Sequence, residues 1–268
     1  MGVLNYLPDR DMEFLSTISN EELSVLVNIL IKDEDGIPRD SEDLTLQPEY
    51  KKHGENYLMY WQKIAAELQY FGGNTIANGW RGHGVSYVEI LKDVCNHMNI
   101  RVGSNDDVLD LERKVASEIS KKIMDDMTDD QIRNFAKEFG TSGLGKQATV
   151  AAIQGAIRLG GFASYKMSVI VVNAIAKQAI GRGLTFASNA ALTRAIGAFA
   201  GPIGWILTGV WTAVSLAGPA YRVTVPAVIY ISFLRSLKME MNKLVFCNQA
   251  HGNPVGAKFC NECGYRFS

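Results

Sequence analysis

No Asp or Glu occurs between Gly140 and Glu240, a stretch of 99 residues in a chain of 268. A segment that long with cations and no carboxylate cannot neutralise itself locally. It must set its apolar surface against another part of the chain, another polypeptide or an anionic surface. Residues 1–140 hold 15 Lys and Arg against 26 Asp and Glu, a balance of −11. Residues 141–268 hold 12 against 2, a balance of +10. Either the halves dock and neutralise each other, or the basic half meets something anionic. The net charge of −1 hides this asymmetry and names no partner by itself. With 47% hydrophobic and 21% charged residues, the chain has the means to bury a core and is not a disordered tail. Four Cys in this length exclude a disulfide scaffold. The start MGVLNYLPDRDMEF places acids where an export signal needs basic and then apolar residues, so a cytoplasmic chain is expected.

The acidic half reads as helices. Asp9 to Ile18 is a short amphipathic segment, and Ser19-Asn20-Glu21-Glu22 has the form of a capping box with Ser19 or Asn20 as N-cap. Residues 33–50 carry two prolines, Gly36 and many acids, and read as an exposed linker. Leu58, Trp61, Ile64, Ala65 and Leu68 fall at helical spacing, with Gly72-Gly73 as the stop. Further helices are predicted near Tyr87–Met98, from about Asn105 with Val108, Leu111, Val115, Ile119 and Ile123 on one face, and after Thr128. Period-two alternation is not sustained anywhere, so the predicted class is all-α: a multi-helix N-terminal domain, an apolar Gly/Ala-rich helical region and a small C-terminal zinc ribbon. The expected divisions are 1–35, 50–140, 141–240 and 245–268.

In the basic half, residues 195–221 are 27 consecutive uncharged positions. That is long enough for a membrane span of ~20 residues, but Pro202 and Pro219 bracket a straight helix too short for ~30 Å of hydrocarbon. Seven cations from Lys146 to Arg222 have no acid among them, which suits an anionic leaflet. Ile203, Trp205, Ile206, Leu207, Val210, Trp211 and Val214 are the candidate contacts to membrane or partner. A soluble helical core and a hairpin that can be exposed both stay open.

The tail FCNQAHGNPVGAKFCNECGYRF carries the most specific signal. Cys260-Asn261-Glu262-Cys263-Gly264 is a knuckle that sets two thiolates on a tight turn. Cys247 and His251 supply two more borderline-to-soft ligands, completing a candidate tetrahedral zinc site of Cys247, His251, Cys260 and Cys263. About 22 residues have no core of their own, so a structural rather than catalytic zinc is expected. The stretch resembles short zinc-ribbon tails of bacterial proteins and departs from them at Ala250, where a second Cys is expected. Elsewhere, Arg81 and His83 lie between glycines and are weak ligand candidates. A tight turn with His83 capping a helix is the plainer reading. His53 and His97 are expected in solvent, and Cys95 as a buried thiol.

AELQYFGGNTIAN, RGHG and AYRVTVPAV make the chain similar, from about Tyr6 to Arg235, to the uncharacterised bacterial YaaW family. That resemblance implies a grouping with ubiquinol–cytochrome c chaperone-like helical proteins and an all-α fold, and it implies no catalytic residue. The zinc tail lies outside it. The expected function is therefore non-enzymatic: a membrane-associated helical protein at the inner membrane. Its partner would be lipid or a membrane protein, with a further protein partner for the acidic half. A soluble chaperone-like adaptor for an apolar helix is the alternative. A nucleic-acid binder acting through the ribbon comes third, because the tail lacks a dense basic patch.

Overall fold

A computed structural model describes residues 3–33, 35–73, 82–159, 161–184, 199, 203–204, 207, 221–249 and 251–267. The fold is all-α. The described residues form α1 (Asn20–Ile31), α2 (Pro48–His53), α3 (Trp61–Gly72), α4 (Tyr87–His97), α5 (Val108–Asp126), α6 (Asp129–Glu138), α7 (Lys146–Leu159), α8 (Phe162–Ile180) and α9 (Tyr221–Met241). One small antiparallel pair follows, β1 (Leu244–Phe246) with β2 (Gly252–Pro254). The chain divides into two compact units: residues 1–114, 178–181 and 208–231 make the first, and residues 115–177, 182–207 and 232–268 the second.

In the first unit, α1 starts where the capping box places it. Ser19 Oγ accepts from Glu22 N at 3.1 Å, and the Glu22 carboxylate accepts from Ser19 N at 2.7 Å. Leu23, Leu26, Val27 and Leu30 bury the inner face of α1. The extended N-terminal segment is held by a side chain acting as backbone. Fully buried Gln69 of α3 accepts from Leu7 N at 3.0 Å and donates to Leu7 O at 2.9 Å, so both amide groups are satisfied away from water. Gly84 lies against the same turn of α3, where a Cβ would sit 2.2 Å from the Gln69 carbonyl.

Several local expectations change. The segment Asp9–Ile18 contains one 3-10 turn, Glu13–Ser16, with Met12, Leu15 and Ile18 buried in the core. Residues 33–50 are more than an exposed linker: Leu44 and Gln47 are buried, and Pro48 opens α2. Gly73 ends α3 in extended backbone at φ −102°, not in a left-handed turn. The need at Gly72 is for space, since a Cβ there would meet the Ile90 side chain at 2.4 Å. His83 caps no helix. Its Nδ1 lies 2.7 Å from Gly84 O, and the first amide of α4, Tyr87 N, donates to Asp9 Oδ2 at 2.7 Å. His97 is stacked on Tyr221 at 4.1 Å rather than free in solvent. Cys95 is buried, and burial pushes its thiol up to about 11.

In the second unit, α6 begins with the other expected capping box, Thr128 with Gln131. Residues 164–176 of α8 are buried except Lys166, so this apolar helix is packed nearly all round. That is the signature of a core helix. No single described helix is long and apolar enough to cross a membrane; α7 and α8 pass such a test only as a pair bent by 102°.

Candidate metal centre

The pairing of β1 with β2 brings Cys247 and His251 together. Cys247 follows β1 directly and His251 precedes β2, so the pairing Phe246↔Gly252 closes a short loop with both side chains at its mouth. Cys247 N donates to His251 O at 3.3 Å across that loop. The knuckle forms the other half. Gly264 N donates to Cys260 O at 2.9 Å, and Gly264 adopts φ +72°, a conformation that favours glycine.

The ligand atoms of Cys247, His251, Cys260 and Cys263 all lie within 4.8 Å of one another. Cys247 Sγ is 3.5 Å from His251 Nδ1 and 3.6 Å from Cys263 Sγ, and Cys260 Sγ is 3.6 Å from His251 Nδ1. Cys247 and Cys260 are buried and Cys263 is exposed. Four such donors can hold a metal ion. Nδ1 of His251 faces the thiols, and Nε2 faces Glu262 Oε2 at 3.4 Å. A carboxylate behind a ligating imidazole fixes its tautomer and orientation.

Asn253, 1% exposed, ties the halves together, and the sequence analysis missed it. Its Oδ1 accepts from Asn261 N at 2.9 Å, and its Nδ2 donates to His251 O at 2.9 Å and lies 3.4 Å from Cys260 Sγ. The signal was present in the NPVGAKFC stretch, but an Asn beside a Pro reads first as a turn residue. Burial pushes the Cys260 thiol up. Hydrogen bonds from backbone at Cys263, from Asn253 and from backbone at Glu262 outweigh it and bring the thiol down to about 6. At Cys263 a backbone hydrogen bond at Tyr265 lowers the thiol, but desolvation and the neighbouring sulfurs of Cys260 and Cys247 raise it overall. The cluster thus favours thiolate at Cys260 first, which is the form that binds metal.

The ribbon rests on α8. A Cβ on Gly252 would meet the Phe162 ring at 2.4 Å, and the Tyr165 ring packs tilted against Phe246 at 5.4 Å between centroids. Beside it, Glu138, Phe139, Phe162, Lys166 and Glu262 line a cavity of about 230 Å³. Lys166 Nζ sits 5.0 Å over the Phe162 ring, and burial lowers its pKa. Glu240, the other acid of the basic half, is buried: its Oε2 accepts from Gly161 N at 2.7 Å at the start of α8.

Of the remaining sequence candidates, only His83, Ile203 and Leu207 are among the described residues. Ile203 and Leu207 are fully buried, so neither is presented outward as a membrane or partner contact. Trp205, Ile206, Val210, Trp211 and Val214 lie outside the described residues, as does Arg81. His83 is therefore not brought together with Arg81 in any described arrangement.

Residues 6–39 match a family described as "Domain of unknown function (DUF3944)". The chain is 42% identical over 241 residues to a UPF0174 protein of Helicobacter pylori strain J99, covering 89% of this chain and 95% of that one. It is 38% identical over 207 residues to a UPF0174 protein of another Helicobacter pylori strain, covering 75% and 99%. It is 30% identical over 241 residues to the UPF0174 protein YaaW of Escherichia coli K12, covering 87% and 97%. No solved structure matches. These names specify no activity and no metal, and they do not carry the ubiquinol–cytochrome c chaperone-like grouping.

Proposed function

The chain belongs to the UPF0174 family, and from that premise we propose that it is a non-enzymatic helical binding protein whose tail is closed by a structural zinc ion. The observation that supports this is the spacing of the four ligand atoms. Zn–S bonds of ~2.3 Å and Zn–N bonds of ~2.0–2.1 Å at tetrahedral angles place sulfurs about 3.8 Å apart and sulfur and nitrogen about 3.6 Å apart. The separations of 3.6 Å between Cys247 and Cys263 and of 3.5 and 3.6 Å to His251 lie close to those edges. Four protein ligands leave no open position for substrate, which is the arrangement of a structural site. The nearest carboxylate, Glu262, is directed at the imidazole and acts as its orienting partner. Zinc bound there would join the β1–β2 loop to the knuckle and hold the ribbon against Phe162 and Tyr165. The test is metal analysis of the full chain purified without chelator. Zinc equimolar with protein is expected, lost in Cys260→Ser and Cys263→Ser while the helical circular dichroism persists. Metal-free protein, or variants that keep their zinc, would contradict it.

A second reading concerns the basic half. The bent α7–α8 corner exposes Leu159 at 91% next to exposed Arg158, with Leu144 exposed at 48% at the other end of α7. An apolar tip beside a cation suits shallow docking on an anionic cytoplasmic membrane face rather than a span. Flotation with anionic vesicles checks this: the chain is expected to rise with them at low salt, and Leu159→Glu to stay below. Equal behaviour of the two proteins would exclude the corner as the contact. A soluble adaptor for an apolar helix is the outcome favoured if neither floats.

A further inference from the structure

The cavity of about 230 Å³ beside the ribbon holds none of the four metal ligands, and the described residues that line it all belong to the second unit. Local structure fixes its walls. Glu138 is the last residue of α6, where helix carbonyls run out of helical donors. Lys166, one turn into α8, donates from Nζ to the Glu138 carbonyl and so ties the end of α6 to the start of α8. Phe139 is the C-cap of α6 and Phe162 the first residue of α8, so both rings reach the same space. The Lys166 ammonium lies 5.7 Å from the centre of the Phe139 ring and 5.0 Å from that of Phe162.

Three charged side chains of both signs meet there among the described residues: Lys166, Glu138 and Glu262. Lys166 is the most enclosed, its side chain 15% exposed against 34% for Glu138 and 56% for Glu262. Its ammonium has three donors and makes one hydrogen bond among the described residues. The Glu138 carboxylate, at 3.9 Å, forms an ion pair but is too far for a second bond. Glu262 turns Oε2 toward His251 at 3.4 Å, and its Oε1 makes no hydrogen bond among the described residues. A simple anion would pair with Lys166 and meet two carboxylates. A simple cation would pair with the carboxylates and meet an enclosed ammonium. A zwitterion answers both signs at once. The ring faces add attraction for its ammonium and, with Ala163, an apolar surface for a side chain. The volume is below the ~300 Å³ at which ordinary ligand pockets begin, which suits one amino acid and excludes a nucleotide.

We propose that this cavity binds a free α-amino acid with an aromatic or branched apolar side chain, its carboxylate on Lys166 and its ammonium on Glu138 and Glu262. Glu262 also backs His251, so the site needs the folded ribbon, but the metal touches no part of the ligand.

Calorimetric titration of the full chain with L-phenylalanine and L-leucine tests this. In parallel, 3-phenylpropionate and 2-phenylethylamine keep the ring and carry one charge each. At least one of the two amino acids is expected to bind about tenfold or more tighter than either single-charge analogue. Binding should weaken about tenfold or more in Lys166→Gln and severalfold in Glu138→Gln, with the zinc content of both variants unchanged. The Glu138 carboxylate is half-exposed and makes no hydrogen bond among the described residues. Its variant is therefore expected to keep the unliganded melting temperature and to remain informative if Lys166→Gln does not fold. Binding of neither amino acid overturns the proposal, and overturns it alone if the sample holds its zinc. Amino-acid binding by a chain without zinc instead overturns the metal reading alone. Binding of a single-charge analogue as tight as that of the amino acids, or amino-acid binding that the Lys166 and Glu138 variants leave unchanged, would likewise contradict the site.

Discussion

Glu67 of α3 is 2% exposed, and burial, with Glu42 and Asp43 nearby, pushes its carboxyl up to about 8 against the single opposing hydrogen bond from Asp43 N. In the unfolded chain the same group titrates near 4.5. A carboxyl whose pKa is raised by folding favours the native state while protonated in both states. That contribution is lost as pH rises from about 4.5 through about 8. Glu67→Gln keeps an acceptor for Asp43 N and cannot ionise. Its urea midpoint is expected to vary little over that window, whereas the wild type loses stability on the order of several kcal/mol. Parallel pH profiles for the two proteins would show that Glu67 carries no such linkage. At this scale the sequence disclosed ligand types better than supporting groups. Cys and His at knuckle spacing announce themselves by chemistry. Gln69 acts through a partner 62 residues away, and Asn253, whose partners are nearby, reads first as a turn residue beside Pro254.

The helix starts at Ser19 and Thr128 were legible because a capping box is local: its donors and acceptors lie within four residues. Replacing Ser19 by Ala removes the acceptor for Glu22 N, and a loss of about 1 kcal/mol in unfolding free energy is expected. A change below a few tenths would mean that Asn20 takes over the cap. The start of α4 was misread for the opposite reason. Its first amide is satisfied by Asp9, 78 residues earlier in the chain, so a nearby His was given a role that a distant carboxylate performs. Residues 33–50 were likewise read as linker from their prolines and acids. The same residues build an ordered loop through Asp33 and Gly36, and their few apolar members, above all Leu44, reach the core.

Across the whole molecule, the lack of acids from Gly140 to Glu240 was the right place to look and admitted two outcomes. Where that half is described it is largely core: α8 is enclosed, and Ile203 and Leu207 are buried. A helix buried all round and a helix meant for lipid share one composition, so periodicity alone could not separate them. The two carboxylates kept in this half each meet a partner within it, buried Glu240 at the start of α8 and exposed Glu262 behind His251. The central claim remains the closed four-ligand centre. X-ray absorption at the zinc edge on the full chain tests it most directly. A tetrahedral shell of three sulfurs near ~2.3 Å and one imidazole nitrogen near ~2.0–2.1 Å is expected from Cys247, Cys260, Cys263 and His251. A shell lacking the imidazole, or one holding an exchangeable water, would contradict a structural site.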